Sequence, residues 1–270
     1  MDKIRLFLEI LNSEIAQGLA AIIVSILTFI LTNVLKNKKF SQAYRPKKLK
    51  KSERKNTILV IGLGRVGKSQ MIETLFKQFP VVSCEETNNF YIHEAEKKFN
   101  PTTIRFVLTD YRGQNFAQLI QSFIEEQLRP NTKLRYGDIN SLILVTDIFQ
   151  DEKDEYKKRY DDIEFERIKE HVTQWNRTAL DAVFGLMTKE SLQYVCLFIN
   201  KKDKLNQYSP EIEKKLLEQF MDLSIGLKTR AEKSSAKFET IIGSALTGEC
   251  MIGPDSISKS LNKYSIPLKN

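Results

Sequence analysis

Lys68 and Ser69 directly follow the stretch Gly62-Leu63-Gly64-Arg65-Val66-Gly67, an order of residue types suited to gripping phosphate. Glycines let backbone N–H groups converge on phosphate oxygens, a lysine at this spacing reaches the terminal phosphates, and a serine hydroxyl can hold Mg²⁺. The stretch follows the apolar run Ile58-Leu59-Val60-Ile61 and leads through Gln70 into a helix-like segment, whose positive dipole end would face the same anion. Gly62 to Gln70 are therefore expected to bind a nucleoside triphosphate with Mg²⁺. The same residues contain a G-x-G-x-x-G, and Glu85 or Glu86 lies near the distance expected of a ribose ligand, so an NAD-binding turn is the rival reading. Lys68 and Ser69 favour the triphosphate, because a dinucleotide turn needs neither side chain.

Three further motifs each close a strand-like run. Asp110-Tyr111-Arg112-Gly113-Gln114 follows Ile104-Arg105-Phe106-Val107-Leu108, Asn200-Lys201-Lys202-Asp203 follows Tyr194-Val195-Cys196-Leu197-Phe198-Ile199, and Ser244-Ala245-Leu246 follows Thr240-Ile241-Ile242-Gly243. Ligands of open α/β sheets bind outside the carboxyl ends of the strands, so motifs remote in sequence can converge on one nucleotide. In these motifs and their order, from about Asn56 to Ile257, the chain resembles the Ras-like GTPases of the P-loop superfamily.

That resemblance implies a three-layer α/β fold with a mostly parallel sheet and one antiparallel hairpin, and it implies roles for individual residues. Asp203 would accept hydrogen bonds from the guanine N1–H and N2 amino groups, a donor pair that adenine lacks, so GTP and GDP are the expected ligands rather than ATP. Asn200 and Lys201 would buttress the base loop and cover the base face. Ser244, Ala245 and Leu246 would form the opposing loop, with the Ala245 N–H towards the guanine carbonyl. Asp110 would bind Mg²⁺ through water beside Ser69, the Gly113 N–H would meet the γ-phosphate, and Gln114 would orient the attacking water while Lys68 stabilises transferred charge. Thr87, between the first helix and the run Phe90-Tyr91-Ile92-His93, is the candidate for the threonine that closes on the metal; Thr102 and Thr103 are its rivals. Tyr111 and Arg112 are bulkier than the residues often found there in that family.

The amino terminus carries a separate signal. Residues 18–35 hold no charge, and with Ile15 to Gln17 they reach the roughly 20 apolar residues a helix needs to cross a bilayer. A cleavable signal peptide would have its basic residues before the apolar run, whereas here ten Lys or Arg residues and one acid occupy 36–55, just after it. The net charge of +8 divides as −1 over 1–35, +9 over 36–55 and 0 over 56–270. Nucleic-acid binding would require the positive charge on a folded face, so this distribution argues against it. A basic run beside a span instead retains that side in the cytosol and attracts anionic lipid. The expected organisation is a short non-cytosolic tail (1–14), a transmembrane signal anchor (15–35), a basic juxtamembrane linker (36–55) and a cytosolic GTPase domain (56–270). The expected membrane is the endoplasmic reticulum in a eukaryote and the inner membrane in a bacterium.

The 215 residues after the linker suffice for one α/β core. Strands are expected near 57–61, 90–97, 103–109, 141–147, 193–199 and 239–243, the second and third pairing directly. Phe165, Ile168, Val172 and Trp175 recur at helical spacing, which predicts one long amphipathic helix from Asp161 to Leu186 with Trp175 in the core. The charged run Asp151 to Lys158 reads as solvated surface, and the sequence assigns no role to the long segment 129–190. Cys84, Cys196 and Cys250 show no paired spacing, and His93 and His171 are too far apart in sequence to suggest a metal cluster. In architecture the chain also resembles the beta subunit of the signal recognition particle receptor. Two functional classes follow: a membrane-tethered switch that hydrolyses GTP with help from a GTPase-activating partner and acts on a protein effector, or a GTP-clamped receptor subunit with little turnover.

Overall fold

The computed structural model describes residues 53–77, 81–86, 90–99, 102–111, 116–128, 136–149, 163, 165–187, 190–253 and 256–267. Runs of Val, Ile, Leu and Phe dominate the central strands. β5 (Ile139–Asp147) and β6 (Tyr194–Asn200) are buried at every position, as strands covered on both faces must be. Around them lie β1 (Glu53–Ile61), β4 (Thr102–Tyr111) and β7 (Lys237–Ile242), giving a parallel series in the order β4-β1-β5-β6-β7. The carboxyl ends of these five strands therefore share one edge.

Alternate strand residues feed two cores, because successive side chains in a strand point to opposite faces. On one face Leu59, Leu142, Leu144, Leu197 and Ile199 pack under α2 (Phe116–Leu128), α3 (Phe165–Gln174), α4 (Arg177–Gly185), α5 (Pro210–Gln219) and α6 (Met221–Lys233). On the other, Ile58, Val60, Ile143, Val145 and Phe198 pack under α1 (Lys68–Phe76) and α7 (Ile257–Lys263). The result is the three-layer α/β arrangement that the resemblance implies.

The expected hairpin is present: β3 (Phe90–Phe99) runs antiparallel to β4, from Phe90 opposite Tyr111 to Phe99 opposite Thr102. It is not the sole antiparallel element. Val81–Glu86, absent from the expected strands, forms β2 and extends the hairpin, and β8 (Ile266–Pro267) pairs with Arg54 and Lys55 of β1. Tandem Val81-Val82 suits a pleated strand, and as the edge strand β2 pairs its backbone with β3 on one side. β1 itself begins at Glu53, so the last three residues assigned to the basic linker lie in the sheet, where Lys55 Nζ meets Asp138 Oδ2 at 3.1 Å.

The single helix predicted over 161–186 is instead two. Asn176 leaves the helical region at φ −65°, ψ 178°, and its side chain accepts the Ala179 N–H at 3.1 Å, an N-cap that starts α4 afresh. Ile168 and Trp175 are buried as expected, whereas Phe165, at the first position of α3, is exposed. Among the described residues no helix is long and apolar enough to cross a membrane; the apolar segment 15–35 and most of the basic linker lie outside them.

Candidate functional site

β1 delivers the chain to the shared carboxyl edge and the glycine loop turns it into α1. A Cβ built on Gly62 would sit 2.3 Å from the Val145 carbonyl oxygen of neighbouring β5, and one on Gly67 (φ +90°) would sit 2.5 Å from Asn200 Nδ2. A side chain at Gly62 would collide with the backbone of β5, and one at Gly67 would be strained at that φ and would push Asn200 aside. Arg65 adopts a left-handed backbone (φ 63°) without being glycine, which marks the loop as held by its surroundings.

Side chains hold it by its carbonyls. Lys68 Nζ donates to the oxygens of Leu63 (2.8 Å) and Gly62 (3.2 Å), Arg167 Nη2 to that of Gly64 (2.8 Å), and Asn200 Nδ2 to that of Val66 (2.8 Å). The Gly67 carbonyl accepts the Met71 N–H as the first bond of α1. In a planar trans peptide the C=O and the following N–H point in opposite directions. Anchoring the carbonyls of residues 63, 64 and 66 therefore fixes the directions of the N–H groups of Gly64, Arg65 and Gly67. This set of oriented donors at a helix start is suited to a phosphate chain.

The other motifs gather at the same edge. Asp110 lies opposite Val60 in the parallel register of β4 and β1, beside the start of the loop. Asn200, the last residue of β6, joins two motifs directly: its Nδ2 holds Val66 and its Oδ1 accepts the Ala245 N–H at 2.8 Å. The Ala245 N–H, expected to face a guanine carbonyl, thus has Asn200 as its partner here. Thr74 Oγ1 of α1 donates to the Ala245 carbonyl at 2.6 Å, a second tie between the glycine loop's helix and the Ser244–Leu246 loop. Buried Ser244 accepts the Thr247 N–H through Oγ at 3.1 Å, while Leu246 is exposed. Asp203 is half-buried in the 3-10 turn Lys202–Lys204, which Lys201 enters in a left-handed conformation (φ 70°). Ser69 is exposed at the start of α1. Thr87, Gly113 and Gln114 lie outside the described residues, as does the Asp110 side chain.

A buried charged cluster that the motifs do not announce lies against this site. Asp147, at the end of β5, is fully buried and has cations on both carboxylate oxygens: Arg167 Nε at 2.9 Å from Oδ1, and Lys201 Nζ at 2.7 Å from Oδ2. Lys201 also donates to the Phe149 carbonyl, so its ammonium is held against the end of β5. His171 Nε2 lies 2.7 Å from Asp147 Oδ1 and 3.2 Å from the Asp147 backbone nitrogen. A proton on Nε2 serves the carboxylate, whereas a bare Nε2 accepts the Asp147 N–H; in either tautomer Nδ1 has no partner among the described residues. Burial by itself pushes the Asp147 carboxyl up, but the His171 hydrogen bond and the Lys201 charge outweigh it and hold the group below the ordinary carboxylate value. Burial pushes His171 the other way, below the usual imidazole value, despite the attraction of Asp147. The cluster thus carries an ionised aspartate, two cations and a neutral imidazole. The one sequence signal for it was the carboxylate ending the apolar run Leu142-Ile143-Leu144-Val145-Thr146, because such a strand delivers its last residue to the ligand edge.

Elsewhere the chemistry is quiet. Cys196 is fully buried and burial pushes its thiol up to about 12, which fits inert packing, and all three cysteines are free. Among the described residues no group of three or more His, Cys, Asp or Glu could hold a metal.

A mostly parallel α/β sheet, with a glycine loop between β1 and α1 followed by Lys-Ser, is the arrangement of a P-loop fold. No protein-family model matches the chain, and no curated protein matches it. Among solved structures, the chain is similar to Methanosarcina barkeri Roco2 RocCORdC bound to GDP, at 17% identity and a TM-score of 0.40, over 80% of this chain and 51% of that one. It is also similar to the G domain of the T. maritima FeoB iron transporter, at 13% identity and a TM-score of 0.38, over 78% and 98% of the two chains. The chain spans about half the length of the first.

Proposed function

We propose that the chain is a membrane-anchored guanine-nucleotide-binding protein that hydrolyses GTP slowly and works as a nucleotide-dependent switch for a protein partner. The observation that carries the nucleotide reading is the Asn200 bridge, with 2.8 Å bonds to Val66 on the phosphate loop and to Ala245 on the loop beyond β7. One side chain makes a phosphate cradle and a second loop into one rigid unit, and Asp203 follows three residues on, where a carboxylate can accept the guanine N1–H and N2 donors. The Gly64, Arg65 and Gly67 N–H groups and Lys68 bind the phosphates, for which Lys68 must exchange its two carbonyl contacts for phosphate oxygens. Ser69 and Asp110 are the residues that would hold Mg²⁺, whose charge offsets that of the β- and γ-phosphates.

In this reading Gln114 orients the water that attacks the γ-phosphate. The chain's own residues supply too little charge for a fast reaction, so a partner must contribute an arginine worth about 10³ to 10⁵ in rate. Membrane attachment rests on the uncharged run 18–35 and on the ten basic residues at 36–55, which suit contact with anionic lipid. Single-turnover GTP hydrolysis by the full chain, with membrane extract present, tests the switch. Wild type should be stimulated and Gln114→Leu should not, while both bind GTP alike. Identical slow rates together with GTP-dependent retention of one stoichiometric partner would instead identify a receptor-subunit clamp.

A further inference from the structure

Arg167 lies 103 residues from Gly64 in sequence, yet its guanidinium spans the sheet edge to reach that residue's carbonyl. Three acceptors define its plane: Asp147 Oδ1 at 2.9 Å from Nε, Glu170 Oε2 at 2.6 Å from Nη1, and the Gly64 oxygen at 2.8 Å from Nη2. A planar fork fixed by two carboxylates has little freedom left at its third position. Arg167 is itself buried, and an ion pair with Asp147 alone would require neither the Glu170 clamp nor a contact on the phosphate loop.

Resting on the guanine-nucleotide reading, we infer that Arg167 is a positioning residue for the phosphate chain. By holding the Gly64 carbonyl towards its own guanidinium it aims the Arg65 N–H of the same peptide plane the opposite way, at the β-phosphate, and through Asp147 it ties this aim to Lys201 at the base loop. A donor set before the ligand arrives costs no reordering on binding, so its benefit falls on nucleotides that possess a β-phosphate. GMP has none. Helix α3 thereby becomes a lever on phosphate affinity, because a shift of its first turn moves Arg167 and releases the Gly64 peptide.

The test is equilibrium binding of GDP and GMP to the full chain in detergent, comparing wild type with Arg167→Lys, Arg167→Met and Glu170→Gln. Arg167→Lys keeps a cation for Asp147 but loses the fork, so it should weaken GDP by about tenfold or more while leaving GMP within about twofold. Arg167→Met should lower the GDP-to-GMP preference at least as far. Glu170→Gln changes an exposed side chain and loosens one arm of the clamp; the same preference should fall by about two- to threefold, so the test stands even if the Arg167 variants fail to fold. Equal losses for GDP and GMP, or an unchanged preference in Glu170→Gln, would reduce the cluster to a structural ion pair and overturn the inference. Failure of the wild-type chain to bind GDP at all would instead reject the guanine-nucleotide reading, and the inference with it.

Discussion

Asn200→Ala removes two buried hydrogen bonds at once and leaves two buried backbone groups, the Val66 carbonyl and the Ala245 N–H, without the partner that now holds them at 2.8 Å. An orphaned buried polar group costs about 1–3 kcal/mol, so the substitution should cost about 2–6 kcal/mol in total. Part of this appears as lost stability. The remainder appears on binding, because the phosphate loop and the Ala245 loop no longer arrive at the ligand as one unit. At about 1.4 kcal/mol per decade, even a 2 kcal/mol share weakens GDP about thirtyfold. Fluorescence titration with a labelled GDP and denaturant unfolding of the ligand-free chain separate the two shares. Asn200→Asp sharpens the comparison: it keeps an acceptor for the Ala245 N–H but sets a carboxylate oxygen against the Val66 oxygen, so it should harm binding as much as alanine does. GDP affinity in Asn200→Ala within about twofold of wild type would refute the bridge as the unit that rigidifies the site.

Gly62→Ala puts a methyl 2.3 Å from the Val145 oxygen and should abolish nucleotide binding or prevent folding, which a thermal scan with and without GDP reports; a variant with wild-type melting and affinity would contradict the close approach. Asp203→Asn replaces an acceptor with an amide and should move preference from guanosine to xanthosine nucleotides, checked by competition between the two. His171 is neutral in the fold with its value held below 6.5, so its contribution to stability is complete above about pH 6.5 and is lost as pH falls from there through the folded value. Asp147 behaves likewise, but its loss begins only as pH falls below about 3.8. Unfolding free energies between pH 7.5 and 5 should accordingly decline in wild type with a slope of at most about 1.4 kcal/mol per pH unit from this one proton, and less steeply in His171→Gln. Parallel declines in the two would remove His171 as the cause.

The turn from β1 into α1 and the strand β6 were readable because close packing restricts residue type at both. Gly62 and Gly67 stand where any Cβ collides with Val145 or Asn200, and β6 announces itself by seven consecutive residues that are all buried. The Asp147 cluster was not readable in the same way. Its members are separated by 20, 24 and 54 residues, and Arg167 and His171 sit on a helix whose other residues are mostly polar, so only the docking of α3 against β5 makes them neighbours. The break between α3 and α4 hides for a related reason. Apolar spacing continues through Trp175, and the single cap residue Asn176 ends the helix without interrupting that spacing.

Competitive equilibrium binding of GTP, ATP and NAD to the full chain, with and without Mg²⁺, bears most directly on the guanine-nucleotide assignment. GTP should bind most tightly and gain from Mg²⁺, and Asp203→Asn should erase its advantage over ATP. Equal affinity for GTP and ATP would contradict the role of Asp203, and tight NAD binding without Mg²⁺ would replace the triphosphate site with a dinucleotide one.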